Sequence, residues 1–275
     1  MEKFDSKDLK KLYLPIKESH KGQNGKLTII GGSHLFHGAS LWALKVASRI
    51  CDMVFYASTP ENNELTQKLK SDLYDFIAVP REKMEDYIEE SDVILIGPGL
   101  PREEGRVGNE EPTRELTERL LKRFSEKKWV IDAGSLQTIE PERLKELGGN
   151  VIITPHLKEF ETLFKIEATE SNVSVIAQKY DCTILLKGEV DVVCNSQTCR
   201  LIEGGNAGMT KGGTGDVLAG LAAALACKND LFLAACSASY INKKAGDELY
   251  KRVGYYFNAS DLADEIPKLM KQLLL

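Results

Sequence analysis

The chain has 275 residues, enough for one large α/β domain or two small ones, with 36 Lys and Arg against 41 Asp and Glu for a net charge of −5. Mixed signs with an acidic balance argue against a nucleic-acid surface, and no apolar run approaches the roughly 20 residues that span a bilayer. The six cysteines, spread thinly, read as reduced and mostly buried thiols of a cytoplasmic protein.

Residues 1–24 form a charged lead-in without the apolar core of a secretory signal. GKLTIIGG, from Gly25, reads as a strand ending in glycines, and HGASLWALKVASRI, from His37, as a helix with small and apolar residues on one face. MVFYAST is again strand-like, a helix is expected from Glu61 to Lys70, then the strand FIAVP and a charged helix near Glu82 to Glu90. DVILIGPGL, WVIDAGSL, VIITPH and CTILLKG are short apolar runs, each stopped by glycine, proline or an acid. Runs buried on both faces and separated by helices describe a parallel sheet. DVVCNSQTCRLIEGG looks like a hairpin appended near one edge, with Cys194 and Cys199 flanking its turn. Three helices are expected at the end, Val217 to Cys227, Asp230 to Tyr250 and Ala259 to Leu275, with Asn258-Ala259-Ser260 as a cap region. Pro101 to Arg114, rich in charge, glycine and proline, reads as a solvated loop, or as a flap because it follows Gly99 and Leu100. The expectation is one α/β domain over residues 1–275, in three layers, with a central mostly parallel sheet flanked by helices.

The richest segment is GGNAGMTKGGTGDVLAG, with six glycines between Gly204 and Asp216 followed at once by a helix-forming run. Glycines let a ligand approach the main chain, and the first helical turn offers unpaired N–H groups at its positive end. Together they describe an anion site for a phosphate or pyrophosphate. Asp216 would repel that anion, so a carboxylate there points to a base beside a transferring phosphoryl group. Neither a Walker A loop nor a dinucleotide fingerprint is present, since Gly25-Lys26 and the other glycine pairs lack the required spacing. Ligands of such sheets bind beyond the carboxyl ends of the strands. The residues collected there are Gly31 to Ser33, Gly97 to Leu100, Asp132, Thr154 to His156, Lys187 and Gly188. Each also has a plainer reading: a turn at Gly97, a helix cap at Asp132, a backbone-bonded histidine at His156, a solvated lysine at Lys187.

GGS…GA, GPGL, ITPHxxEF, KG and above all GNxGMxxGGTGDVLxG, from Gly205 to Gly220, resemble the ADP/ATP-dependent NAD(P)H-hydrate dehydratases of the ribokinase-like fold. The resemblance runs from about Gly25 into the C-terminal helices. It implies that NADHX or NADPHX, the hydrated cofactors, are dehydrated to NADH or NADPH at the expense of ADP or ATP, with Mg²⁺ accompanying the nucleotide. By the same resemblance Asp216 is the base and Gly213, Thr214 and Gly215 supply the anion hole. Ala39, Gly99, His156 and Asp216 meet the hydrate, while Lys187, Gly188, Glu189, Val190, Asp191 and Gly215 meet the AMP part of the nucleotide. A separate NAD(P)HX epimerase and a homotetramer are further implications. The chain departs from the family pattern at Gly134, Leu157, Lys158 and Lys211. Asp216 is expected to be ionised by its place at a helix N-terminus. Valine at Gly213 or Gly215 is expected to block phosphate approach without unfolding the protein, because the loop lies at the surface. A small-molecule kinase of the same fold, acting on hydroxyethylthiazole or hydroxymethylpyrimidine, and a nucleotide-binding module without turnover are the other classes open at this point.

Overall fold

The computed structural model describes residues 1–69, 73–102 and 111–275, so the end of the expected helix at Lys70 and most of the loop after Pro101 lie outside the described residues. Among the described residues ten strands form one sheet. They are β1 (Glu2–Lys3), β2 (Lys26–Ile30), β3 (Met53–Ala57), β4 (Ile77–Val79), β5 (Val93–Ile96), β6 (Lys128–Ile131), β7 (Val151–Ile153), β8 (Thr183–Leu186), β9 (Asp191–Cys194) and β10 (Cys199–Ile202). Their order is β1-β10-β9-β8-β7-β6-β5-β2-β3-β4. Strands β2 to β8 pair in parallel, whereas β9 runs antiparallel to both neighbours, as the appended hairpin should.

Each apolar run alternates its side chains between two cores. Leu27, Ile29, Val93 and Leu95 face one cluster, and Ile30, Ile94, Ile96 and Trp129 face the other. The first core is closed by α1 (His37–Ala47), α8 (Thr214–Ala226), α9 (Leu231–Val253) and α10 (Ala259–Leu274). The second is covered by α3 (Met84–Glu90), α4 (Thr113–Arg123), α5 (Ala133–Thr138), α6 (Leu157–Phe164) and α7 (Glu170–Tyr180). Helix α2 (Pro60–Leu69) follows β3. The result is the three-layer arrangement expected from the alternating runs. Helix α8 is apolar almost all round because it is buried all round, and its small residues let α1 approach closely. A Cβ on Gly220 would lie 2.6 Å from the Ala43 backbone. Asn258 caps α10 with a capping box completed by Asp261.

One expectation is overturned. Cys194 and Cys199 form a disulfide, because the register of β9 and β10 sets them opposite each other with Cα atoms 4.1 Å apart. Cys51, Cys182, Cys227 and Cys236 remain free and buried. No described helix is long and apolar enough to cross a membrane.

Candidate active site

The carboxyl ends of β2, β5, β6, β7 and β8 deliver Gly31, Gly97, Asp132, Thr154 and Lys187 to one edge of the sheet, as parallel strands must. The first turn of α8 meets them there. At this edge two clefts lie on either side of the Gly215–Asp216 step. One, of about 540 Å³, is lined by Leu35, Phe36, Ala39, Gly99, Gln137 and Asp216 among others. The second, of about 540 Å³, is lined by Lys187, Gly188, Glu189, Thr214, Gly215 and Lys243 among others.

The two glycines of the loop do different work. Gly213 is the N-cap of α8 at φ +96°, and a Cβ there would overlap the Trp42 ring and lie 2.8 Å from the Ala259 Cβ. It is buried, contrary to the expectation of a replaceable surface residue. Gly215 is open, with only the Lys187 ammonium, at 3.5 Å, near the position of a Cβ. Thr214 is occupied by its own loop: its hydroxyl donates to the carbonyls of Met209 at 2.6 Å and Lys211 at 2.9 Å. Its N–H also leans on the Lys211 carbonyl, at 3.4 Å. The first helical hydrogen bond runs from the Val217 N–H to the Gly213 carbonyl, so the N–H groups of Gly213, Gly215 and Asp216 before it have no main-chain acceptor, and that of Asp216 lies against its own carboxylate.

Burial raises the carboxyl pKa of Asp216 to about 7, with the Asp132 carboxylate adding to the rise and the Lys187 ammonium opposing it. Its expected ionisation by the helix N-terminus is therefore corrected: loss of water and a like charge outweigh the helix end. A carboxyl poised near neutrality suits proton abstraction better than a permanently ionised one. Burial pulls the Lys187 pKa down, but Asp132, Glu159 and Asp216 together hold it above the ordinary lysine value. Lys187 Nζ donates to Asp132 Oδ1 at 3.0 Å, and the Thr154 hydroxyl donates to the same oxygen at 2.8 Å. Although Asp132 stands at the N-cap position of α5, it makes no capping bond, because its carboxylate is committed to that pair.

The remaining predicted residues separate. Ala39, Gly99 and Asp216 share the first cleft. His156 is not among the residues lining that cleft; its Nδ1 accepts from the Glu159 N–H at 3.2 Å and so caps α6. A relay joins it to the cleft wall, since Gln137 donates to Glu159 at 2.6 Å and accepts from Arg102. On the other side Lys187, Gly188, Glu189, Asp191 and Gly215 line the second cleft, while Val190 is exposed and does not. Asp191, 4% exposed, builds this wall from beneath: it accepts from the Gly188 N–H at 2.9 Å and from Ser239 at 2.7 Å.

The family profile described as NAD(P)H-hydrate dehydratase matches residues 27–268. The chain belongs to the NAD(P)H-hydrate dehydratase family. It is 33% identical over 266 residues to an ADP-dependent (S)-NAD(P)H-hydrate dehydratase of Cenarchaeum symbiosum, covering 93% of this chain and 91% of that one. It is 36% identical over 270 residues to a bifunctional NAD(P)H-hydrate repair enzyme of Methanocaldococcus jannaschii, covering 96% of this chain and 52% of that one. The chain thus spans about half the length of the bifunctional relatives it matches. The solved ADP/ATP-dependent NAD(P)H-hydrate dehydratase of Bacillus subtilis superposes with a TM-score of 0.81 at 23% identity, covering 99% of this chain and 98% of that one. A ribokinase-like superfamily protein of Enterococcus faecalis reaches 0.85 at 22% identity, with 99% and 96% covered. These likenesses establish the ribokinase-like fold.

For this member of the family, sequence reasoning passed over Lys243. Only 6% exposed, it donates to the carbonyls of Gly188 at 3.0 Å and Glu189 at 2.9 Å and pairs with Asp191 at 3.1 Å. A lysine in the buried stripe of a helix was the available signal. Gly134, where the family pattern leads one to expect an acid, has no room for a side chain: a Cβ would overlap the Leu100 carbonyl.

Proposed function

We propose that this chain dehydrates NADHX and NADPHX to NADH and NADPH, coupled to cleavage of ADP or ATP. The observation that carries the reading is the position of Asp216, a partly buried carboxyl poised near pH 7 where two clefts meet beside an open helix N-terminus. Hydroxide is a poor leaving group, so the hydrate hydroxyl must first become a phosphate ester. Asp216 accepts the hydroxyl proton as that oxygen attacks the terminal phosphorus, and the bond from phosphorus to the bridging oxygen breaks, releasing the shortened nucleotide. Phosphate then leaves the ring carbon, a proton leaves its neighbour, and the double bond is restored. The N–H groups of Gly213 and Gly215, with the Lys187 ammonium close to Gly215, hold the phosphoryl oxygens.

Ala39 and Gly99 belong to the hydrate side in this reading, and His156 acts there through the Glu159–Gln137 relay or by direct contact from its exposed edge. Lys187 to Asp191 and Gly215 belong to the nucleotide side. No group of three or more His, Cys, Asp or Glu side chains able to hold a metal ion occurs among the described residues, and Asp132 is already committed to Lys187 and Thr154. Mg²⁺, which would neutralise phosphate charge, is accordingly assigned to the nucleotide phosphates. The names of two relatives support ADP as the donor and the S epimer as substrate. An epimerase activity that supplies this epimer is the functional partner. Cytoplasmic action follows from where reduced nicotinamide cofactors are used, and the homotetramer implied by the resemblance is open to light scattering.

Incubation with hydrated NADH and ADP or ATP tests the reading. Reduced-nicotinamide absorbance should return with equimolar phosphate release. A phosphorylated product that accumulates without that absorbance would assign the protein to the kinases, and nucleotide binding with no product at all would leave a binding module.

A further inference from the structure

Asn242 lies near the middle of α9 and lines the nucleotide-side cleft. It is 4% exposed, and its Oδ1 has no hydrogen-bond partner. Buried amides in folded proteins are nearly always paired, so an orphan invites an explanation. Its neighbours along the helix are all committed. Ser239 holds Asp191, Lys243 holds the 188–191 loop, and the Gly246 carbonyl accepts from Asn206 at 2.9 Å. Those bonds fix both walls of the cleft and leave Asn242 between them with a buried acceptor to give. Leu218 and Met209 line the same cleft and offer apolar surface to a flat ring. Lys187 and Gly215 stand at its phosphate end. The cleft volume, about 540 Å³, suits a nucleotide.

We propose that Asn242 selects the base of the nucleotide, pairing its carboxamide with the 6-amino group and adjacent ring nitrogen of adenine. A carboxamide presents an acceptor beside a donor, and that edge of adenine presents a donor beside an acceptor, so the orphan Oδ1 gains the amino group while Nδ2 donates to the ring nitrogen. This assignment rests on the reading of the cleft as the nucleotide side.

Isothermal titration of the full chain with ADP and with purine riboside 5′-diphosphate, which lacks only the 6-amino group, tests it. Wild-type protein should bind ADP about tenfold more tightly than the analogue. Asn242→Leu should bind both ligands equally, at the weaker level; Asn242→Ala, which adds no bulk, serves where the leucine variant fails to fold. Equal binding of the two ligands by wild type overturns the proposal, and so does a preference for ADP that survives both substitutions. Wild-type protein that binds neither ligand overturns the nucleotide reading together with this assignment.

Discussion

The two clefts that meet at Asp216 have the same volume but are built by opposite means. The hydrate side is made of main chain packed on main chain. Gly99, at φ +74°, sits against the Phe36 carbonyl, Gly134 against the Leu100 carbonyl, and Ala133 is held at φ +43°. The nucleotide side is made of buried charge, with Lys243 joining two carbonyls and Asp191, and Lys187 joining Asp132. A wall of the first kind fails when an atom is added. A wall of the second kind fails when a charge is removed, because its partner is then buried alone.

The residue shared by both sides should show the largest effect. Asp216→Asn is expected to lower turnover by about 10²–10⁴, the usual contribution of a general base, while ADP still binds. Near-normal turnover would remove Asp216 from the chemistry. Stability moves the other way. The folded-state pKa of about 7 lies above the ordinary carboxyl value, so the folded state holds a proton that the unfolded chain releases, and stability falls as pH rises from about 4 to 7. Above that window the charged carboxylate opposes folding, and Asp216→Asn should raise the melting temperature by a few degrees at pH 8.

Lys243→Met comes next. Leaving Asp191 without its partner should cost about 3–5 kcal/mol of stability, measured by denaturant unfolding. In the folded fraction the KM for nucleotide should rise with that for hydrate unchanged; a parallel rise in both would break the distinction between the sides. The two loop glycines sharpen it further. Gly213→Ala should destabilise by about 1–3 kcal/mol through its clash with Trp42 and Ala259. Gly215→Ala should keep or slightly raise stability, as alanine does in a helix, and weaken ADP binding.

Asp132→Asn removes the like charge that helps raise the Asp216 pKa, so the acid limb of kcat/KM should move below its wild-type position near pH 7. An unmoved limb would show that burial alone sets it. The smallest effect is at His156. Alanine there should cost about 1 kcal/mol through the lost cap on α6. His156→Asn preserves the cap, so a rise in hydrate KM with this variant isolates a contact to substrate from the capping role.

The central strands and the last three helices were legible because burial on both faces leaves short apolar runs, and because Asn258 and the glycines punctuate the chain. Strand β1 was not, since two exposed residues, Glu2 and Lys3, carry no pattern. Helices α4 and α6 are amphipathic, with Leu116, Leu120 and Leu121 on the inner face of α4, but their charged outer faces dominate the stretch, and only α7 has a weak period. The phosphate loop and Asp216 were legible as a motif, yet nothing in four consecutive residues tells which glycine packs on an indole and which stays open. Lys243 and Asn242 were passed over for a related reason. Mid-helix polar residues read as solvent-facing until tertiary packing turns them inward. The disulfide was missed because composition speaks for the average cysteine and register speaks for a particular pair.

Trp42 turns this architecture into an optical instrument. Its ring touches Gly38 at the start of α1 and lies under Gly213, and its indole N–H donates to Ser260 at 3.0 Å. The only other tryptophan, Trp129, is sealed in the opposite core with its N–H on the Phe124 carbonyl at 3.0 Å. Intrinsic fluorescence therefore separates into a constant background from Trp129 and a variable emission from Trp42. Occupation of the helix N-terminus above that indole becomes a change in colour and quantum yield, readable in a cuvette without any label.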